Sequence, residues 1–575
     1  MVENHRRDSA VHMSGWTLVG GTQGEITPHP AAVVAVGDDR RGERIAESDD
    51  RVTPAHALPG GGVPDPESAV DLFGAQPGQG GVDVALGLGD RLGVGLGADC
   101  RVDQIANRLG QWPVDRLQLR DVLRGQVLNR EFQHPCTVES QDMTAPDWVR
   151  HAIWWHVYPL GFVGAFPATT VPTPEEHRLS RIVDWLDHAV GLGASGIALG
   201  PVFASRTHGY DTTDHYRIDP RLGDDGDFDR LVTQAHERGL RVLLDGVFNH
   251  VGTDFPRYRQ ALDGDSEART WFHGRPGRFH TFEGHSDLIT LNHRNAGVAD
   301  HVAGVMSHWL SRGADGWRLD AAYAVPGEFW TRVLPRVRAE HPDAWFVAEV
   351  IHGDYAAFVA ESGVDSVTQY ELWKAIWSSL NDGNFHELDW ALQRHNDFQD
   401  TFAPLTFVGN HDVTRIASRL IRAEHLPHAL VLLFTVGGVP SVYAGDEFGY
   451  TGVKEDRAGG DDAVRPEFGS PSGHGDAEIL DLHRYLIGLR RRHPWLYQAR
   501  TTALTLENTR YVYESRYGDE ALIVALNLSD EAMTVPVSEL TGRVAEVIAG
   551  TAAPPRETVN RATVPPNGWL VLTPG

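Results

Sequence analysis

From Ala152 to about residue 443 the chain alternates short apolar runs with amphipathic stretches, and this restricts the fold more than any other feature. IWWHVYP (153–159), GIALGPV (196–202) and LRVLLDGVF (240–248) are compact and apolar, as strands buried on both faces are. Further strand-like runs end near 320, 349, 370, 408 and 443, giving eight. Between the runs lie helical patterns. Glu175–Val190 carries Leu179, Ile182, Val183, Leu186 and Val190 as one stripe, closed by Gly191. Asp227 is placed to cap a helix bearing Phe228, Leu231, Val232 and Ala235 that ends at Gly239. Alternation of this kind implies parallel strands joined by helical crossovers. Eight such units close into an α/β (β/α)8 TIM barrel.

One interval is too long for a simple crossover. Roughly 75 residues separate the third strand from the fourth, and the stretch contains Phe255, Tyr258, Trp271, Phe272, Phe279 and Phe282. It reads as a short subdomain, about 251–295, inserted after strand three. Ala477–Arg492 is a last amphipathic helix, stopped by Pro494. Beyond it the period becomes two in RYVYES (510–515), ALIVALNL (521–528), MTVPV (533–537) and WLVL (569–572). That pattern predicts a C-terminal antiparallel β-sandwich over 499–575, with the barrel and its insertion occupying 143–498.

Residues 1–142 differ from the rest. They hold four aromatic residues (Trp16, Phe73, Trp112, Phe132), no Tyr and no Lys, and Pro/Gly-rich pieces break any periodicity. So few large side chains bury too little area to offset ordering entropy, so the segment reads as a poorly ordered extension, with Met143 as an alternative start. Gly87–Gly97 has neither the spacing nor the strand-helix context of a nucleotide loop.

A formal charge of −27 argues against nucleic acid as a partner. No apolar run is long enough to span a membrane, and no apolar core follows Arg6-Arg7 to make a signal peptide. Cys100 and Cys136 are the only cysteines, which rules out a disulfide framework or a cysteine zinc site beyond residue 136. The cytoplasm is the expected location.

In such a barrel functional groups sit at the C-terminal ends of strands. Asp320 ends strand four in GADGWRLDAAY (313–323), Glu349 ends strand five in WFVAEV (345–350), and Asp412 follows strand seven in TFVGNHD (406–412). Arg318 lies two residues before Asp320, so on a strand both point the same way, and the guanidinium favours the ionised carboxylate. An ionised carboxylate held in place can attack an electrophilic carbon. Two carboxyls about 5–5.5 Å apart are what retaining glycoside hydrolysis uses. Asp320 then serves as nucleophile and Glu349 as acid/base, the latter pushed toward its protonated form by the charges of Asp320 and Asp412.

DGVFNH (245–250), GWRLD (316–320), AEV (348–350) and FVGNHD (407–412) resemble, in order and spacing, the four motifs of the α-amylase superfamily, glycoside hydrolase family 13. HGYDTTDHYRIDPRLG (208–223) and VPSVYAGDEFG (439–449) resemble further segments of that family, so the likeness covers roughly 150–575. It implies Asp320 as nucleophile, Glu349 as acid/base and Asp412 as the acid that grips substrate hydroxyls. It further implies Arg318, His250 and His411 as sugar hydrogen-bonding groups and Tyr210 as a stacking platform. Asp211 with Arg465 would close the innermost subsite, as in members acting on short substrates.

The style of 208–223 and 245–250 is similar to the neopullulanase, maltogenic-amylase and oligosaccharide-hydrolase branches, although their N-terminal β-sandwich has no counterpart in 1–142. Asn249 resembles a calcium ligand of true α-amylases. The family's Lys-His pair after the nucleophile is replaced by Ala321-Ala322-Tyr323, which argues against calcium and against an endo-acting starch enzyme. No cofactor is implied as a requirement. Strand one carries Trp155-His156-Val157-Tyr158, not the paired His of metal-dependent barrel hydrolases.

The expected activity is hydrolysis of α-1,4-linked or α-1,6-linked gluco-oligosaccharides. A transglycosylase or sugar isomerase would use the same double displacement. An inactive sugar-binding relative would have lost one of the three acids, and all three are present.

Overall fold

The computed structural model describes residues 145–166, 177–457, 459–551 and 557–575, together with a backbone pairing of His12–Met13 with Trp16–Thr17. The expectations for 1–142, for Cys100 and Cys136, and for a helix beginning at Glu175 fall on residues outside these.

Among the described residues eight parallel strands form one sheet: β1 Trp154–Val157, β2 Gly196–Leu199, β3 Arg241–Gly246, β4 Gly316–Leu319, β5 Trp345–Ala348, β6 Ser366–Val367, β7 Leu405–Phe407 and β8 Val439–Tyr443. Their order in the sheet is β6-β5-β4-β3-β2-β1-β8-β7. A parallel bridge between Thr368 and Leu405 joins the two ends, so the sheet closes into the expected (β/α)8 barrel. All four residues of β4 and of β5 are buried, because side chains fill the barrel on one face and helices cover the other. A cavity of about 30 Å³ inside the barrel is lined by Trp154, Leu243, Phe407 and Arg318 among others. The axis is therefore packed, and chemistry is confined to the mouth.

Local boundaries differ from the sequence reading in three places. The sixth run ends at Val367, and Tyr370 already opens a helix (Tyr370–Asp382) capped by the Gln369 side chain. The stripe after β1 forms two short helices, Ser180–Val183 and Leu186–Leu192, closed by Gly193 at φ 96° instead of Gly191. Gly193 is needed there, since a Cβ would meet Ile487 Cγ2 at 2.7 Å in addition to the left-handed backbone. The helix Asp225–Glu237 is capped by Asp224, not Asp227. Asp224 accepts from the Gly226 and Asp227 amides while Asp227 accepts from the Asp224 amide, a reciprocal capping box.

The insertion after β3 contains the helices Pro256–Asp263 and Ser266–Arg269. Its strand Leu288–Thr290 pairs antiparallel with His250–Gly252, which ties the subdomain to the barrel rim.

The helix Ala477–Arg492 matches its predicted bounds. After it a six-stranded antiparallel sheet begins at Arg500, and a two-stranded sheet (Met533–Val535 with Ala562–Val564) forms the second layer. In Arg510–Tyr517 and Glu520–Asn527 alternate residues divide between two cores. Tyr511, Tyr513, Leu522, Val524 and Leu526 join the barrel core, and Val512, Ile523 and Ala525 join the sandwich core. The barrel-facing set is why this module packs as one body with the barrel.

The loops after β7 and β8 are locked by a fully buried ion pair. Arg415 Nη1 donates to Asp446 Oδ1 at 2.7 Å, and Nη2 donates to the Ala444 and Val464 carbonyls. Burial pushes the Asp446 carboxyl up to about 6, against the pull of Arg415. Arg415→Leu would strand that carboxylate, so we expect a loss of about 3–5 kcal/mol of stability in urea unfolding at neutral pH. With Arg415 gone nothing opposes burial, so Asp446 takes up its proton above pH 6 and the loss should be smaller at pH 6 than at alkaline pH.

Candidate active site

Strand register brings the site together. In the barrel Arg318 pairs with Asp245 of β3 on one side and Val347 of β5 on the other, and Leu319 pairs with Gly246 and Ala348. Adjacent strands lie about 4.8 Å apart, so Asp320 and Glu349, each the next residue of its strand, emerge side by side. Their amides keep the register, Asp320 N–H donating to Gly246 O and Glu349 N–H to Leu319 O.

One guanidinium gathers the acids. Arg318 Nη1 donates to both oxygens of Asp245 at 2.7 Å and lies 3.3 Å from Asp320 Oδ1. Its Nη2 is 2.7 Å from Glu349 Oε1 and 3.9 Å from Asp412 Oδ2. The strong contacts of Arg318 therefore go to Asp245 and Glu349. Its longer contact with Asp320 still favours the ionised form of that acid, as expected. Burial first, and the Glu349 charge second, push Asp320 well above the usual carboxylate range, with Arg318 opposing. Asp412 is different: burial raises it, but His411 and Arg465 outweigh burial and hold it well below that range.

Glu349 is held by three donors. Beyond Arg318 these are the Tyr370 hydroxyl at 3.1 Å on Oε1 and the Ala321 amide at 2.9 Å on Oε2. Ala321 reaches that position with φ 44°, ψ 35°, a left-handed conformation costly for a residue with a Cβ. Asn410 Nδ2 donates to Tyr370 Oη, which fixes the phenol.

Four carboxyls (Asp245, Asp320, Glu349, Asp412) thus face one guanidinium, with Arg465 offsetting Asp412 at 2.9 Å. Such an excess of negative charge in a buried site favours a proton on Asp320, whose carboxyl is raised by burial and by the neighbouring acids.

The remaining expected residues also meet here, with one exception. The Tyr210 hydroxyl donates to Asp245 Oδ2 at 3.1 Å and contacts His411 Nε2, and its ring lies parallel to His411 at 5.6 Å. His411 Nε2 is 3.0 Å from Asp412 Oδ2; a carboxylate only accepts, so Nε2 carries the proton. His250 Nε2 donates to the Tyr210 carbonyl at 3.1 Å, and its Nδ1 accepts from Asn249 Nδ2. Burial holds His250 down to about 3, so it is neutral and acts here as a prop for Tyr210. The Asp211–Arg465 pair is not formed. Asp211 accepts from the Thr207 amide and hydroxyl, while Arg465 pairs with Asp412 and Asp461 and donates to the His411 carbonyl.

Asn249 Oδ1 is buried without a partner, which suits a cation ligand in isolation. A hard dication takes six to eight oxygens, usually with carboxylates among them. Among the described residues, the metal-compatible group of three acids or histidines is His177, Asp224 and Asp227, whose aspartates form the capping box. Asn249 is not part of that group.

Three participants escape the sequence reading. Asp245 is wholly buried and opens the quoted DGVFNH segment, so its position at a strand end is the available signal. Tyr370 lies beyond the true end of strand six, in the first turn of the following helix. Tyr158 stacks on His411 at 5.7 Å and carries the Arg465 guanidinium over its ring at 4.6 Å; its place at the end of a strand-one run could have marked it.

Residues 157–478 match the family model described as "Alpha amylase, catalytic domain". A cyclomaltodextrinase of Geobacillus thermopakistaniensis is 30% identical over 433 residues, covering 68% of this chain and 71% of that protein. An intracellular maltogenic amylase of Bacillus subtilis is 28% identical over 363 residues, 57% of this chain and 61% of the relative. Among solved structures, a ligand-free cyclic alpha-maltosyl-(1-->6)-maltose hydrolase from Arthrobacter globiformis superposes with a TM-score of 0.65 at 26% identity, covering 75% of this chain and all of that one. The barrel, the acids at its mouth and these matches together make the chain a glycosidase that belongs to the α-amylase family, glycoside hydrolase family 13.

Proposed function

We propose that the protein is a retaining hydrolase of α-1,4-linked glucose oligomers, cyclic maltodextrins included. The observation that carries this reading is the adjacency of Asp320 and Glu349 on neighbouring strands around one guanidinium. The names of the relatives, a cyclomaltodextrinase, a maltogenic amylase and a cyclic alpha-maltosyl-(1-->6)-maltose hydrolase, support the substrate class.

A sugar at the mouth presents its anomeric carbon to Asp320 and its glycosidic oxygen to Glu349. As the bond stretches, positive charge develops at the anomeric carbon and favours the ionised form of Asp320. Glu349, beside the leaving oxygen, delivers a proton to it as general acid. Asp320 closes on the carbon to form a glycosyl ester. Water enters where the leaving group left, gives its proton to Glu349, and releases the sugar with its α configuration kept. Asp412, held ionised by His411 and Arg465, accepts from sugar hydroxyls, and the Tyr210 ring carries the pyranose face. Asp245 holds Arg318 and the Tyr210 hydroxyl in place.

Calcium has no part in this scheme. Chelation with EDTA should leave both kcat/KM on maltoheptaose and the unfolding temperature unchanged; a loss of either on chelation, restored by calcium, would contradict that. A cytoplasmic location belongs to the proposal, supported by the intracellular Bacillus subtilis relative. Among the described residues no helix is long and apolar enough to cross a membrane.

The product profile on maltose, maltoheptaose, cyclodextrin, pullulan and trehalose tests the reading. Maltoheptaose and cyclodextrin should yield maltose and glucose, with trehalose untouched. Absence of reducing sugar from every α-1,4-glucan would refute it, and lengthened products would assign the same intermediate to transfer.

A further inference from the structure

Three residues beyond Asp320, Tyr323 makes two contacts on the acid/base side of the mouth. Its amide donates to the backbone carbonyl of Glu349 at 3.2 Å, which ties the segment after β4 to the acid/base residue. Its hydroxyl donates to Glu283 Oε1 at 2.7 Å, which reaches across from the inserted subdomain. Burial and the Glu283 carboxylate push the Tyr323 phenol upward, so the donor stays protonated at any working pH.

Glu283 makes this bond from a left-handed backbone (φ 47°, ψ 31°), a strained conformation for a residue with a side chain. The exposed bond adds little to stability, so strain held for its sake points to function. Next to it, Phe282 lies flat on His250 with ring centres 4.8 Å apart and sits 6.3 Å from Tyr323. Tyr323 is in turn 5.7 Å from the exposed His352 ring. Phe282, Tyr323 and His352 therefore form a row of rings leading outward from His250.

We propose that the Glu283–Tyr323 hydrogen bond is a latch that fixes the wall receiving the leaving-group pyranose, making both residues determinants of which sugar departs. This rests on the glycosidase reading above. The latch joins the rims after β3 and β4, and the rings it aligns offer flat apolar faces of the kind that cover a pyranose. Freed of the latch, the wall loses its fixed position and binds the departing sugar less well.

The test compares kcat/KM on maltotriose with that on α-glucosyl fluoride, whose fluoride occupies no sugar subsite. Tyr323→Phe keeps the ring and removes the hydroxyl. Glu283→Gly keeps the left-handed backbone at no steric cost and removes the carboxylate. Each should lower the maltotriose-to-fluoride ratio about fivefold, mainly through KM, as expected for losing one partly exposed hydrogen bond to a charged group. The double variant should be no worse than either single one, since both remove the same contact. An unchanged ratio in both variants, or effects that add, would overturn the latch. A wild-type protein that turns over neither substrate would remove the glycosidase reading, and the latch with it.

Discussion

Asp320→Asn is expected to lower kcat on maltoheptaose roughly 10⁴–10⁶-fold, the scale seen when a covalent nucleophile is removed. The same variant should unfold at an equal or higher temperature than the wild type. The sign follows from Asp320 being pushed up by burial and by Glu349. A carboxyl raised on folding costs stability wherever it is forced to ionise, and that cost is absent below its unfolded value. A neutral amide removes the cost at neutral pH, so stability and activity should move in opposite directions. Near-normal maltoheptaose hydrolysis by this variant, with the substitution verified by mass, would remove the mechanism.

Glu349→Gln is the second large effect. On maltoheptaose a loss of about 10²–10⁴-fold is expected, since the leaving oxygen is no longer protonated. On α-glucosyl fluoride the first step needs no proton, so a burst of fluoride should precede a slow phase limited by the missing base. Three donors converge on the Glu349 carboxylate, so an amide in its place opposes an NH2 group either to the Ala321 amide or to Arg318 and the Tyr370 hydroxyl together. A modest loss of stability should accompany the kinetic change. Equal damage on both substrates, without a burst, would mean that Glu349 positions Arg318 and transfers no proton.

The three acids can be found in the chain because each sits at the end of a compact apolar run, where a barrel must present its chemistry. The register that makes two of them neighbours cannot. It depends on Leu319 pairing with Ala348 across strands joined by a helix, a long-range fact without local periodicity. Asp245 is easily passed over for a related reason: its partner, Arg318, is remote in sequence. Asp211 and Arg465 bond to other partners because both lie in loops, where local bonds compete. The Thr207 amide and hydroxyl satisfy Asp211 from four residues away.

Element boundaries fail where a cap is misjudged. Asp224 outcompetes Asp227 by standing one step before the first helical turn, and Asp227 then serves the same cap from inside. In the C-terminal module the strand Arg500–Leu506 is hard to read because its side chains alternate weakly and most are only half-buried. The strand Glu520–Asn527 of the same sheet, buried along nearly its whole length, is plain in the sequence.

The most direct test of the central claim is to trap the intermediate. Glu349→Gln incubated with α-glucosyl fluoride should gain the mass of one hexose, and proteolysis should place it on the peptide carrying Asp320. Fluoride released while the protein mass stays unchanged, or a hexose found on a peptide without Asp320, would contradict it.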